Sequence, residues 1–498
     1  MRTSSSRPAP MIARTAFQIA LFVGWCVDGR AADKPELTKI YPLGGQVGTT
    51  VDVEASGKFA AWPIQVWSDA KEIEWLCLKE SGKLQARIAT NAVPGLHWVR
   101  LYNEQGATAV KPFLVGEYPE RLESEPNNQP TEANEVAKPS SIHGVLNKRA
   151  DVDVYAVSLK TDETIAASIT AVNWIQSAAD VSLQVLDANG FVLAENLDHV
   201  GLDPYLEFTA KRDSKYYVRV FAFPATPDST VAFGGGNDWN YRLQLHTKPS
   251  PFAQSQDYSM QSEVNADRIE AQPGKHVSIT TALSVSLPAR VGGTITEAKQ
   301  TNVLQFHAKA GTQYRVRVFA REFGSALDAA MAIVDAGGKQ LVQQDDVGNN
   351  RDPVLKWKSP ADGDYFVEIN DFHREGGPMH RFIATIEEHV PSFIPSIASD
   401  LIGMVIGKET ELAVTIDREA DYKDTLQVMV EGLPETIECS MAESKAGGDS
   451  GKKVVLKLRA TTAFQGPIKI AAKQVDTDRK VYASLANGRP VWISATAE

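Results

Sequence analysis

One stretch of this chain occurs twice at a nearly fixed distance. Asp180 to Gly190 (DVSLQVLDANG) matches Asp328 to Gly338 (DAAMAIVDAGG) 148 residues later, while Asp203-Pro204 matches Asp352-Pro353 and Tyr216-Tyr217-Val218 matches Tyr365-Phe366-Val367 at 149. An offset held that closely across separated segments marks one structural unit present in two copies. The unit reads as β-structure. Val181 to Leu186 alternates, Asp187-Ala188-Asn189-Gly190 supplies turn residues, and Phe191 to Ala194 continues as a second strand. Tyr216 to Val220 and Tyr314 to Val318 place apolar and charged side chains on opposite faces, as half-buried strands require. Helical periodicity is scarce throughout, so the chain is expected to be all-β, with four tandem β-sandwiches of jelly-roll or immunoglobulin-like type strung as beads on a string.

The 498 residues exceed what one domain holds, and about three to five are expected at roughly 100 to 200 residues each. The repeats place two sandwiches at 119–248 and 249–388. Residues 33–118 precede them, with Pro42-Leu43-Gly44-Gly45 and the alternating Gly95 to Leu101, and residues 389–498 follow. Residues 1–32 read as a secretory signal: Arg2, Arg7 and Arg14 stand before an apolar stretch from Ala16 to Val27, and Ala31-Ala32 offers a cleavage site. Met11 is an alternative start that leaves the same mature chain. Trp25 before Cys26 argues against lipoprotein processing, which wants a small residue there. Removing the segment takes four arginines and one aspartate, moving the net charge from −11 to −14. Excess acid disfavours nucleic acid, which needs clustered Lys and Arg. No apolar run in the mature chain reaches the ~18 residues of a membrane helix. Cys77 and Cys439 lie far apart, so no disulfide framework is expected, and exported sandwiches of this kind would draw stability from large cores or bound metal.

Acidic clusters therefore matter. Calcium takes six to eight oxygen ligands from carboxylates, amides and main-chain carbonyls. Glu123, Glu125 and Asn127 on one segment and Asp151 and Asp153 on another supply such oxygens. From the residues alone two readings stay open: a calcium site, or a solvated linker beside a capped strand start. Glu123-Ser124-Glu125-Pro126-Asn127-Asn128, His143-Gly144-Val145-Leu146, Asp151-Val152-Asp153-Val154-Tyr155 and Tyr216 to Val220 together resemble the bacterial pre-peptidase C-terminal domain. That family is a β-sandwich module found beside the catalytic domains of secreted proteases and collagenases, and in exported proteins without a protease. The resemblance implies calcium at Glu123, Glu125, Asn127, Asp151 and Asp153. The second copy, through Phe323 to Asp328, Gln344-Asp345-Asp346 and Asp362 to Val367, resembles the same family. It carries Gln300 and Asn302 in place of Asp151 and Asp153 and lacks the Glu-Pro-Asn-Asn segment, so the implied calcium does not extend to it. Asp345, Asp346 and Asp352 read as charged turn residues. The flanking segments are weakly similar to immunoglobulin-like or IPT/TIG modules.

No catalytic constellation completes itself. Gly448-Asp449-Ser450-Gly451 matches the nucleophile context of chymotrypsin-like proteases, but Lys452-Lys453 follow and no matching histidine motif exists. A nucleophile elbow and a zinc-binding His-Glu-x-x-His are missing from the sequence. His373 and His380 sit around Gly376-Gly377-Pro378 and read as a surface loop, and Gly234-Gly235-Gly236 reads as a flexible hairpin. Trp62, Trp67, Trp75 and Trp98 are expected in a core. The resulting expectation is a non-enzyme: an exported binding or scaffolding protein of the cell envelope or extracellular space, calcium-stabilised, with a protein or polysaccharide ligand. The alternative is an accessory chain of a secreted protease system.

Overall fold

A computed structural model of the chain describes residues 33–497 apart from 200, 225–231, 248–281, 322–324, 348–350, 378–379 and 486–487. The expected signal segment, the start of the second repeat, Phe323 and Gly324 lie outside the described residues. The described chain is almost entirely β, in eight sheets, with the four-residue α-helix Val172–Ile175. No described helix is long and apolar enough to cross a membrane. Buried apolar side chains gather into four large clusters, drawn from 37–115, 136–245, 291–386 and 393–495. This is what paired sheets produce when each turns one alternating face toward its partner.

The middle sandwiches have the same strand order. One sheet of the first runs Asn134–Glu135, Asp153–Leu159, Ser214–Ala222, Val181–Leu186, Val192–Asn196. Its counterpart in the second runs Leu283–Ser284, Thr301–Ala308, Gly363–Asp371, Ala329–Val334, Gln340–Gln344. In the opposing sheets, Ser140–Val145, Asn240–His246, Thr164–Thr170 and Tyr205–Thr209 correspond in order to Ala289–Thr294, Arg381–Glu388, Gln313–Phe319 and Val354–Lys358. Register agrees too: Leu186 lies opposite Tyr217, and Val334 opposite Phe366. Both hairpins shift register at one place, Val185/Leu186 and Ile333/Val334. Their turns are built alike. Asp187 Oδ1 accepts from the amides of Asn189 and Phe191, Asp335 Oδ1 accepts from those of Gly337 and Lys339, and Gly190 and Gly338 take the left-handed conformation that closes each turn (φ 85° and 79°). Asp203 and Asp352 are both buried, and each carboxylate collects backbone amides, those of Ala171, Val172 and Asn173 and those of Ala320 and Arg321. Asp352, expected to be a charged turn residue, is thus a buried backbone anchor.

The segment joining the first sandwich to the repeats is packed. Glu120 pairs with both Arg242 and His143; burial alone would raise its pKa, but Arg242 and then His143 pull it down to about 2. Tyr41 Oη donates to the His143 carbonyl at 2.9 Å, and Lys39 Nζ donates to the Asn237 carbonyl at 2.7 Å.

A row of beads leaves out one further contact: the first and last sandwiches meet. Arg100, fully buried on the strand Gly95–Asn103, donates to Asp400 Oδ2 and to the Thr108 carbonyl, each at 2.5 Å. Its guanidinium lies over Trp492, which Trp67 and Tyr102 also contact, with ring centroids 5.5 and 5.1 Å away. Of the four tryptophans expected in a core, Trp98 is buried and Trp62 and Trp75 pack against the first cluster, but Trp67 belongs to this junction. Cys77 and Cys439 are free.

Removing one partner of a buried pair strands the other charge and costs about 3–5 kcal/mol. Asp400→Ala is therefore expected to lower the stability of the first sandwich, the last or both by about that much, and to enlarge the radius of gyration in solution scattering. An unchanged melting profile together with unchanged scattering would show that the junction does not hold the ends.

Candidate metal centre

The sequence nominated five residues, and the fold brings them to one end of the first repeated sandwich. Asn134 clamps the acidic segment: its side chain accepts from the Ser124 amide and donates to the Ser124 carbonyl, both at 2.7 Å. The Val154 amide then donates to the Asn127 carbonyl at 2.9 Å, drawing that segment against the strand Asp153–Leu159. On the other side the chain turns tightly before Asp151. Ala150 is left-handed (φ 65°) and the Asp151 amide donates to the Lys148 carbonyl at 3.1 Å. A non-glycine residue pays about 1–2 kcal/mol for that conformation, here to aim Asp151 inward.

Asn127, Asp151 and Asp153 are all fully buried. One carboxylate oxygen from each of Glu125, Asp151 and Asp153 lies within 4.8 Å of the others. Asp151 Oδ2 accepts from the Asn147 amide at 2.7 Å, while its buried Oδ1 has no hydrogen-bond partner. Asp153 Oδ2 accepts from Tyr241 Oη at 2.5 Å. The Asn127 side-chain amide donates to Glu125 Oε2 and to Asp153 Oδ1, both at 3.1 Å. A buried Asp151 Oδ1 without a donor is costly and asks for a cation as its partner. The residues present fit a hard divalent cation: Glu125, Asp151 and Asp153 each offer a carboxylate oxygen, and the Asn127 amide holds two of those carboxylates.

Glu123 stands behind this group. Its Oε1 accepts from the Val145 amide at 2.7 Å and its Oε2 from Tyr155 Oη at 3.2 Å, so both oxygens are engaged. Burial pushes Glu123 and Asp153 well above the usual carboxylate range; the like charge of Glu123 raises Asp153 further, while hydrogen bonds with the Val145 amide, Asp153 and Tyr155 draw Glu123 partly back. The Tyr155 and Tyr241 hydroxyls, 2.6 Å apart, form the floor, and their ionisation is suppressed by burial first and by the same carboxylates second. Sequence reading missed Tyr241, 88 residues from Asp153, because nothing in a local motif points to it. It also missed Tyr41 of the first sandwich, whose hydroxyl is driven upward by burial and then by Glu123 and Asp153.

The second repeat shows what the loop does without carboxylates. Lys299 repeats the left-handed turn (φ 66°) and the Gln300 amide donates to the Glu297 carbonyl at 3.2 Å. Gln300 Oε1 accepts from the Thr296 and Glu297 amides, and Gln300 Nε2 donates to Asn302 Oδ1 at 2.9 Å. The amides satisfy one another directly. Asp151 and Asp153, when ionised, have no such recourse.

The remaining candidates do not assemble. Ser450 Oγ accepts from the Lys445 amide at 3.0 Å and closes its own loop. His373 is exposed and pairs with Asp328 at 3.2 Å, away from any metal-type grouping with His380 among the described residues. The Gly234–Gly236 run, expected to be a flexible hairpin, is instead pressed onto the Asp151 loop: a Cβ on Gly235 would stand 1.8 Å from the Lys148 carbonyl oxygen, and the Gly236 amide donates to the Leu146 carbonyl at 2.7 Å.

No family model matches the chain. A "probable subtilase-type serine protease" from Deinococcus radiodurans is 28% identical over 199 residues, which cover 39% of this chain and 26% of that protein; the chain thus spans about a quarter of that relative. Among solved structures, the pre-peptidase C-terminal domain of a Bacillus anthracis collagenase is 21% identical, covering 24% of this chain and 99% of that domain, with a TM-score of 0.18. A periplasmic inhibitor of g-type lysozyme from Aeromonas hydrophila is 16% identical, covering 21% and 92%, with a TM-score of 0.17.

A carboxyl whose pKa is raised on folding binds its proton more tightly in the folded state, so its contribution to stability falls as pH rises from the unfolded value through the folded one. Without a cation, Asp153→Asn, the residue type the second repeat carries, is expected to raise the melting temperature at pH 8 and to change it little at pH 4. Each unit of upward displacement removed is worth about 1.4 kcal/mol. Thermal melts in chelator at the two pH values decide this; a variant less stable than wild type at pH 8 would contradict it.

Proposed function

We propose that the chain is an exported, non-catalytic binding or scaffolding protein whose first repeated sandwich is a calcium-stabilised module of the pre-peptidase C-terminal type, the second repeat being a copy that has lost the site. The observation that carries the calcium reading is the grouping of Glu125, Asp151 and Asp153 carboxylates, with Asp151 Oδ1 buried and unsatisfied. An all-oxygen set with three carboxylates suits calcium, and water would complete the six to eight ligands on the exposed Glu125 side. Glu123 would hold the Val145 backbone and Tyr155, and Tyr241 would hold Asp153, so that the ligands are positioned before the ion arrives.

What supports a role as a binding or spacer protein is a set of sandwiches that present sheet surfaces and loops. The ligand class is an envelope or extracellular protein or polysaccharide. The stretch shared with a probable serine protease favours a second reading, an accessory chain of a secreted protease system. A pulldown from cell envelope separates the two: recovery of a protease supports the second, and recovery of polysaccharide or matrix protein the first.

A ligand that binds only the folded state stabilises it by about 2.7 kcal/mol at a hundredfold excess over its Kd. Calcium is expected to raise the melting temperature of one transition of the full chain. The rise should be larger at pH 8 than at pH 5, because calcium displaces protons held by the raised carboxyls. Asp153→Asn should abolish the increment and Asn302→Ala should leave it. Titration calorimetry without binding at millimolar calcium would refute the site.

The non-catalytic reading has its own check. Purified protein is expected to leave a general protease substrate intact, and Ser450→Ala to change nothing. Cleavage that Ser450→Ala abolishes would overturn it.

A further inference from the structure

A different part of the molecule carries a second grouping of donors, at the joint between the second repeated sandwich and the C-terminal one. We propose that His389, Glu419 and Asp421 form a site for a first-row divalent transition cation such as Zn2+, separate from the all-oxygen centre. The three residues each present one donor atom, all within 4.8 Å of one another. His389 follows the strand Arg381–Glu388 of the second repeat, while Glu419 and Asp421 follow the strand Glu409–Arg418 of the last sandwich. A cation here would tie one sandwich to the next.

The independent observation is the histidine. Its side chain is 1% exposed, and neither ring nitrogen makes a hydrogen bond of acceptable geometry. Nε2 nevertheless stands 2.9 Å from Glu419 Oε2 and 3.9 Å from Asp421 Oδ2. A buried polar group left without a hydrogen bond costs about 1–3 kcal/mol. Donors around tetrahedral zinc, each about 2.0–2.2 Å from the ion, stand roughly 3.4 Å from one another. The two separations from His389 bracket that value and the two carboxylate oxygens lie within 4.8 Å of each other, so the three atoms are spaced as ligands of one ion would be.

The backbone fixes this arrangement. The His389 amide donates to the Gln313 carbonyl at 2.7 Å, anchoring the ring's base in the second repeat. The Glu419 amide donates to the Ser392 carbonyl at 3.0 Å, and the Ser392 amide donates back to Glu419 Oε2 at 2.9 Å. A turn closed by the Tyr422 amide on the Glu419 carbonyl keeps Asp421 beside Glu419. Lys356 Nζ takes the other Glu419 oxygen at 3.0 Å, so Glu419 would enter as a single-oxygen ligand. Asp421 is 44% exposed, which opens the site to solvent and leaves room for water as a fourth ligand. One imidazole with two carboxylates is a borderline donor set, suited to zinc and its neighbours more than to calcium.

The test is titration calorimetry of the full chain, stripped with chelator and then saturated with calcium so that the all-oxygen centre is filled, using ZnCl2 alone as the probe. One zinc per chain is expected. Asp421→Asn, a half-exposed position where folding should not suffer, is expected to weaken binding at least tenfold, as is His389→Gln, while Asp153→Asn should leave zinc binding unchanged. Failure of the wild-type chain to bind zinc, or binding undiminished by Asp421→Asn, would overturn the assignment. The outcome is independent of the calcium reading, because the two sites share no residue.

Discussion

Each sheet in this protein has one face that water would wet at a cost, and mating those faces in pairs is what the rest of the structure depends on. With Cys77 and Cys439 free, no described covalent link supplements that burial. In the first repeat the mated layer is made by Tyr155, Val157 and Leu159 from one sheet against Ile165, Ala167 and Ile169 from the other, all nearly inaccessible. At about 25 cal/mol per Å2 of apolar surface removed from water, the valine, leucine and isoleucines among them contribute roughly 1.5–3 kcal/mol each. Charged groups also stand at contacts between sandwiches, as Arg100 with Asp400 and His389 with Glu419 do.

How much of this was legible depends on the range of the signal. The Asp187 and Asp335 turns, each closed by a left-handed glycine, were visible because hairpin geometry is set by four adjacent residues. Strand alternation is equally local, so the all-β architecture could be read directly. Convergence of Glu125, Asn127, Asp151 and Asp153 was legible only because motif and repeat together placed two loops side by side. Tyr241 and Tyr41 could not be found this way: their neighbours in space are set by sheet order and by packing of one sandwich on another. The Arg100–Asp400 pair, 300 residues apart, has no sequence signature at all. Gly234–Gly236 misled for a related reason. Glycine serves flexibility and close approach alike, and here the Lys148 carbonyl occupies the space a side chain would need.

Buried charge is treated in three ways, and the contrast between them is informative. Arg100 meets Asp400 under a tryptophan, and Glu120 meets Arg242 and His143; in both, an opposite charge comes from another part of the chain. At Asp151 and Asp153 no cationic side chain approaches within ion-pairing distance among the described residues, although the same fold builds such partners elsewhere. The second repeat removes the charge altogether, substituting Gln300 and Asn302 on an otherwise conserved turn. Two solutions to one loop geometry, amides that bond each other and carboxylates that do not, differ by what they require from outside the chain.

The location of these groups bears on mechanics. Tyr41 donates to the carbonyl of His143, the same oxygen that receives the Glu123 amide at 3.0 Å, so the first sandwich touches the frame of the acidic centre directly. Lys39 reaches the Asn237 carbonyl in the segment that follows the glycines, which in turn press on the Asp151 loop. Any ordering of Asp151 and Asp153 is thereby felt at the joint with the first sandwich, and that sandwich is also gripped by the last through Arg100 and Trp492. A string of sandwiches joined only by short linkers would hinge at each link. Here charged groups held by partners stand at the contacts between sandwiches, Glu120 with Arg242 and His143 at one and Arg100 with Asp400 at another, so the sandwiches are tied by more than the linkers alone.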